Sequence, residues 1–179
     1  MMKVGYIGGI DIGSHGCLSI IDSVTLTVES VKLYIEEDIA SIYDVLSRYK
    51  NNLIVCIETP ETFSPGVQAI KSLAVTFGVY IAYLELLNIP YVKVSPCKNR
   101  KNYWKKEFNL DKDKNKSIQA VLDIMPQVDK FIKKEKPIKP RGGRKLELVD
   151  IYDDNVAEAF LIALFLKRKI DENSIEIEV

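Results

Sequence analysis

Histidine is almost absent from this sequence of 179 residues, in which His15 is the only one. The three cysteines, Cys17, Cys56 and Cys97, form no CxxC pair, so the sequence has no Cys/His cluster and a zinc site is not expected. His15 falls in a Gly-Ser-His-Gly turn, where it is either a plain turn residue or a phosphate contact. Any hydrolytic chemistry must therefore activate water by means other than a histidine base.

Long apolar runs are also missing. The longest apolar-biased stretch, residues 67–87, is interrupted by Gln68, Lys71 and Glu85, which argues against a membrane-spanning segment. The sequence opens without a signal-peptide pattern. An odd number of cysteines without paired spacing is typical of reduced thiols. We therefore expect a cytoplasmic or other reducing intracellular location.

The chain has no excess of either charge, because 25 Lys and Arg balance 25 Asp and Glu, but the two signs are segregated. Residues 96–145 hold 16 of the basic residues and only 6 acids. A basic segment between acidic ends is typical of a protein that binds nucleic acid, although a solvated lysine-rich surface is the alternative. The candidate phosphate contacts in this segment are Lys98, Arg100, Lys101, Lys105, Lys106, Lys139, Arg141, Arg144 and Lys145.

The apolar patterns predict a mixed α/β fold in one domain, residues 1–179. Three strands come first, and strands then alternate with helices, which predicts a five-stranded sheet with an antiparallel start and a parallel remainder. This order resembles the ribonuclease H-like arrangement. The segment at about 134–150, rich in Lys, Arg, Pro and Gly, is expected to be a mobile basic loop. Predicted strands are 3–11, 17–22, 25–35, 53–58 and 91–94, and predicted helices are 38–50, 67–87, 116–125 and 153–169.

Carboxylates stand at three distant points on this apolar framework. Asp11 and Glu58 each end an apolar strand, and Asp154 and Glu158 are four residues apart, so they share one face of the last helix. Each has a simpler interpretation when taken alone: a cap for Asp11, a surface turn for Glu58, and helix-dipole compensation for the helical pair. The neighbouring Asp153 is interpreted as the N-cap of that helix.

Carboxylates gathered at one site repel each other unless cations intervene. All-oxygen ligands suit Mg²⁺ or Mn²⁺. Two such ions about 4 Å apart can activate water and stabilise a leaving oxygen, which is the chemistry of phosphodiester hydrolysis. Tyr103 and Trp104 could stack on exposed bases, although core anchoring is the more common use of such a Trp.

Taken together, these motifs resemble the RuvC-type Holliday-junction resolvases, in particular the branch found in phages, poxviruses and plastids. The resemblance covers residues 4–168, and three acidic motifs carry it: Gly9–Gly13, Ile57-Glu58 and Asp154–Ala163. Further similar elements are Val94-Ser95-Pro96, Tyr103–Lys106, Asp113-Lys114 and Pro126.

The resemblance implies a homodimer that nicks four-way DNA junctions symmetrically with Mg²⁺. Asp11, Glu58, Asp154 and Glu158 would be catalytic metal ligands. The helix at 67–87 would lie near the dimer axis, and Lys71 on it would meet DNA together with the basic segments. The sequence departs from the bacterial members at Ile12, where proline is usual, and at Asn155, where the upstream Asp of the last motif is usual.

Three other functions remain as alternatives. A related ribonuclease H-like nuclease would cut RNA–DNA hybrids or other branched DNA. An ATP-binding actin-like or sugar-kinase-like domain is suggested by the Asp11-Ile12-Gly13 turn, but 179 residues are too few for its two lobes. A junction-binding protein without catalysis would not need the four acids.

Overall fold

The computed structural model describes residues 4–12, 16–34, 38–60, 67–98, 103–110, 114–138 and 147–174. It includes a 3-10 turn at Trp104–Phe108. The strands and helices are β1 Tyr6–Asp11, β2 Cys17–Asp22, β3 Val28–Leu33, α1 Ile39–Tyr49, β4 Leu53–Glu58, α2 Val67–Leu86, β5 Tyr91–Val94, α3 Lys114–Ile124, α4 Asp129–Ile132, β6 Lys133–Ile138, β7 Glu147–Tyr152 and α5 Asp154–Asp171.

The central sheet has five strands in the order β3-β2-β1-β4-β5. Strand β2 is antiparallel to both β1 and β3, whereas β4 is parallel to both β1 and β5. The predicted mixed sheet with an antiparallel start is therefore confirmed. The topology places β1 at the centre, where its ends are flanked by strands on both sides.

Helices cover both faces of this sheet. Strand β4 is buried along its whole length, and successive residues point to opposite faces, so Ile54 and Cys56 pack with α5 while Val55 and Ile57 pack with α1 and α2. A strand covered on both sides loses the polar alternation of a half-exposed strand. This explains the continuous apolar sequence of β4.

Gly9 lets helix α5 lie directly on β1. A Cβ atom at this position would be 2.0 Å from the carbonyl oxygen of Ala159 and 2.5 Å from the amide nitrogen of Ala163. Only a residue without a side chain permits such a backbone approach. The small residues on both sides of the contact thus fix the distance between α5 and the strand that ends at Asp11.

Helix α2 covers the sheet with only part of its surface. Tyr80 and Leu84 are fully buried on the sheet side, whereas Val67, Val75 and Leu86 are 71%, 55% and 71% exposed. The sequence predicts a helix that is apolar most of the way round, and this second apolar side faces outward in the isolated chain. Among the described residues, no helix has both the length and the apolar character needed to cross a membrane.

The prediction of a basic loop at 134–150 is wrong at both flanks. Strands β6 and β7 pair antiparallel over six residue pairs, from Lys133–Tyr152 to Ile138–Glu147, and form a separate two-stranded sheet. Proline and glycine are typical of loops, but Pro137 lies within β6, an edge position that tolerates proline. The basic residues Lys139, Arg141, Arg144 and Lys145 lie outside the described residues.

Candidate metal centre

Two of the candidate carboxylates stand at neighbouring strand ends. Strands β1 and β4 are parallel, and Ile10 pairs with Ile57, so Asp11 and Glu58 follow one residue later at the same edge of the sheet. Both side chains are almost completely buried, with 4% and 7% of their residue surface exposed. Carboxyl ends of parallel strands are where open α/β sheets bind ligands. The sequence order of strands therefore brings these acids together.

Helix α5 supplies the third carboxylate. Asp153 caps the helix, because its side chain accepts hydrogen bonds from the backbone N–H groups of Asn155 and Val156 at 3.0 and 3.3 Å. Glu158 lies one turn further along, next to Ala159, which contacts Gly9 of β1. One carboxylate oxygen from each of Asp11, Glu58 and Glu158 lies within 4.8 Å of the other two.

Asp154, the fourth candidate ligand, lies outside this group of three. It is the first residue of α5, is partly buried, and borders a cleft of about 330 Å³ with Lys134, Tyr152 and Asp153. The structure thus brings three of the four candidate ligands together. It also places Asp153 in the capping position that the sequence predicts.

Two consecutive residues of the 3-10 turn hold two of the carboxylates. Trp104 is fully buried, and its Nε1–H donates a hydrogen bond to Oε1 of Glu58 at 3.2 Å. Lys105 Nζ donates to both oxygens of Glu158, at 2.7 and 2.9 Å, and lies 5.0 Å from the centroid of the Trp104 ring. Ser117 of α3 also donates to Oε1 of Glu158, at 3.2 Å. These donors fix the orientation of the carboxylates of Glu58 and Glu158.

The electrostatics of the group favour additional cations. Burial raises the pKa of Glu58 well above its ordinary value, and the charges of Asp11 and Glu158 raise it further. Burial lowers the pKa of Lys105, but its contacts with Glu158 outweigh this and the net pKa is raised, so the lysine stays charged. A single ammonium group cannot neutralise three carboxylates at this distance.

The chemistry of the ligand set fits a hard divalent ion. Cys17 lies directly opposite the candidate ligand Asp11, because the two residues pair across β1 and β2. Burial and the charge of Asp11 raise the pKa of the Cys17 thiol, which therefore remains protonated and is a poor metal ligand. The remaining donors are carboxylate oxygens, which suit Mg²⁺ or Mn²⁺ better than Zn²⁺.

The overall architecture is that of a known fold. No protein-family model and no curated protein matches the sequence. Among solved structures, Thermus thermophilus RuvC in complex with a Holliday junction substrate superposes with a TM-score of 0.65 and 13% identity, covering 97% of this chain and 99% of that chain. A second structure of Thermus thermophilus RuvC gives a TM-score of 0.60 and 14% identity over the same shares. The chain has the RuvC fold.

On this RuvC fold, the described basic residues have different surroundings. Lys71 of α2, Lys98 and Lys106 are exposed, and the last two border an open cleft of about 470 Å³ with Tyr103. Lys105, whose predicted DNA contact stays a prediction, binds Glu158 in this structure. Arg100, Lys101, Arg141, Arg144 and Lys145 lie outside the described residues, so their DNA contacts stay predictions.

Sequence reasoning missed the groups that support the carboxylates. Ser117 carries no motif of its own, and the basic run around Lys105 predicts a DNA contact without indicating a contact with Glu158. The position of Trp104 directly before a lysine, between the second and third acidic motifs, was the available signal. The predicted core position of Trp104 is confirmed, but its ring nitrogen also contacts the candidate metal centre.

Proposed function

We propose that this protein is a metal-dependent endonuclease that resolves four-way DNA junctions. The observation that carries the proposal is the convergence of Asp11, Glu58 and Glu158 within 4.8 Å on a RuvC fold. Three carboxylates from two strand ends and a helix form a pre-organised, mostly buried oxygen cluster. The solved structure that the fold matches is a complex with a Holliday junction substrate, which supports junction DNA as the substrate here.

The three carboxylates would hold one or two Mg²⁺ or Mn²⁺ ions, with Asp154 as a further candidate ligand at the start of α5. Bound ions would activate water and stabilise the leaving oxygen of the cleaved phosphodiester. The protein would contribute orientation: Trp104 fixes Glu58, Ser117 fixes Glu158, and the contact at Gly9 fixes the distance between α5 and Asp11. Ligands held in place in this way need little rearrangement when an ion binds.

A homodimer formed through α2 is part of the proposal. The outward side of α2 exposes Val67, Val75 and Leu86, and an apolar helix surface of this kind is typical of an interface. A two-fold dimer would present two metal centres, as cutting two opposed strands of a junction requires. The exposed Lys71, Lys98 and Lys106 would then contact DNA backbones.

The test is cleavage of a synthetic four-way junction with Mg²⁺ or EDTA, compared with a linear duplex, an RNA–DNA hybrid and a nicked duplex. We expect Mg²⁺-dependent cutting that prefers the junction, with paired nicks in opposed strands. Asp11→Asn and Glu158→Gln should each lower the rate by at least about 100-fold, because even groups that only support a metal ligand contribute about 10- to 100-fold. Junction binding should persist in both variants.

A matched control for Glu158→Gln is Glu172→Gln, which changes a carboxylate at the far end of the same helix that is 52% exposed. This control should cut at the wild-type rate. Equal cutting of junction and linear duplex would contradict the resolvase assignment, and preference for the hybrid would favour another ribonuclease H-like nuclease. Robust cutting by Asp11→Asn would contradict the proposed site.

A further inference from the structure

Lys105 occupies the position where a cation is needed. Its ammonium group donates to both oxygens of Glu158, at 2.7 and 2.9 Å, and Glu158 is one of the three clustered carboxylates. The side chain is only 19% exposed, and its ammonium nitrogen lies 5.0 Å from the centroid of the Trp104 ring. Lys105 is therefore held beside the carboxylates by packing as well as by charge.

The ion pair uses both oxygens of Glu158 for protein contacts. Oε1 accepts hydrogen bonds from Lys105 and from Ser117, and Oε2 accepts one from Lys105. A divalent ion that binds Glu158 needs a lone pair of one of these oxygens and brings two positive charges close to the ammonium. Like charges at such a distance repel each other strongly in a partly buried site.

We propose that Lys105 is a resident counter-cation that a divalent ion displaces from Glu158. In the metal-free protein Lys105 neutralises part of the carboxylate cluster and keeps Glu158 in place. When an ion binds, the ammonium group leaves Glu158 and becomes available to a DNA phosphate near the metal centre. Metal loading would thereby prepare the site for DNA, and the competition would set the metal affinity. This inference rests on the proposed metal-dependent function.

The first experiment measures Mn²⁺ binding by isothermal titration calorimetry, without DNA, for the wild type and for Lys105→Met. Methionine has an unbranched apolar side chain of similar length to lysine but lacks the competing charge. We expect the variant to bind Mn²⁺ about tenfold more tightly, which corresponds to about 1.4 kcal/mol. Its metal-free form should unfold at a lower temperature than the wild type, and Mn²⁺ should stabilise it by a larger increment.

The matched control is Lys169→Gln. Lys169 is 21% exposed and pairs with Glu107 at 2.9 Å, so it resembles Lys105 in exposure and pairing but contacts no clustered carboxylate. Its Mn²⁺ affinity should equal that of the wild type. Unchanged or weaker Mn²⁺ binding by Lys105→Met would overturn the displacement of Lys105 but would leave the proposed function standing. A wild type that binds no Mn²⁺ would overturn the proposed function and the inference together.

A second measurement needs no variant. Reductive methylation of the wild type, read by mass spectrometry, reports how reactive each lysine amine is. If Mn²⁺ displaces Lys105 from Glu158, the amine is no longer held by the carboxylate. We therefore expect Lys105 to be methylated faster when Mn²⁺ is present than in EDTA. Lys169 should react equally in both conditions. Equal labelling of Lys105 with and without Mn²⁺ would show that the ion pair persists, and the inference would then be wrong.

Discussion

Replacing Gly9 by alanine is the sharpest structural test of how the metal centre is positioned. The added Cβ would lie 2.0 Å from the carbonyl oxygen of Ala159, whereas ordinary contact begins at 3.4 Å. Both atoms belong to rigid elements, β1 and α5, so α5 must move away by about 1.4 Å to restore ordinary contact. Glu158 is adjacent to Ala159 and must move with it, away from Asp11.

Two magnitudes follow from this displacement. Overpacking of a core contact destabilises a protein by about 1–3 kcal/mol. A misplacement of about 1 Å in a catalytic group lowers the rate by about 100-fold. We therefore expect Gly9→Ala to lower both the free energy of unfolding and the rate of junction cleavage, and to weaken Mn²⁺ binding.

The assays are urea unfolding followed by circular dichroism, Mn²⁺ titration, and single-turnover cleavage at a temperature where the variant is fully folded. Gly78→Ala is the control, because a Cβ there meets nothing within 4 Å and alanine favours the α2 helix by about 1 kcal/mol. Light scattering on both variants measures their oligomeric state, so that a change in assembly can be distinguished from a change at the metal centre. A Gly9→Ala protein as stable and active as the wild type would refute the argument that this contact positions Glu158.

Two further predictions concern the acids of the site and its helix. In EDTA, the raised pKa of Glu58 means that the folded protein binds a proton at this carboxyl more tightly than the unfolded chain does. The free energy of unfolding is therefore highest below the ordinary glutamate pKa of 4.5. It falls as the pH rises from there toward the raised pKa of the folded protein. The melting temperature should fall over that range in the wild type but less in Glu58→Gln, and a parallel fall in both would contradict the assignment. Asp153→Ala should lose about 1 kcal/mol in urea unfolding because it removes the N-cap of α5, whereas Asp153→Ser should lose little. Equal stability of the Asp153 variants would show that the cap contributes nothing.

The sequence predicted the sheet and the edge where Asp11 and Glu58 meet, because the strand patterns are local and the order of the strands follows a simple topological rule. Each acid ends an apolar strand, and parallel strands present their carboxyl ends together. The position of Asp153 as a cap also followed from its place directly before a helical pattern. These features depend on a few neighbouring residues.

The supporting contacts could not be predicted because they join residues far apart in sequence. Trp104 and Glu58 are 46 positions apart, and Lys105 and Glu158 are 53 apart. No periodicity indicates which way Lys105 points from a basic run. The hairpin of β6 and β7 was missed for another reason: its proline and charged residues are typical of loops, and within the described part of the chain its two strands form a sheet separate from the main one.

The candidate metal centre can be complete only late in synthesis. Its carboxylates come from residue 11, residue 58 and residue 158, so the cluster is incomplete until α5 has left the ribosome and docked onto Gly9. An N-terminal fragment, or a chain stalled during translation, would lack Glu158. The proposed DNA-cutting activity would therefore be absent from unfinished or truncated chains.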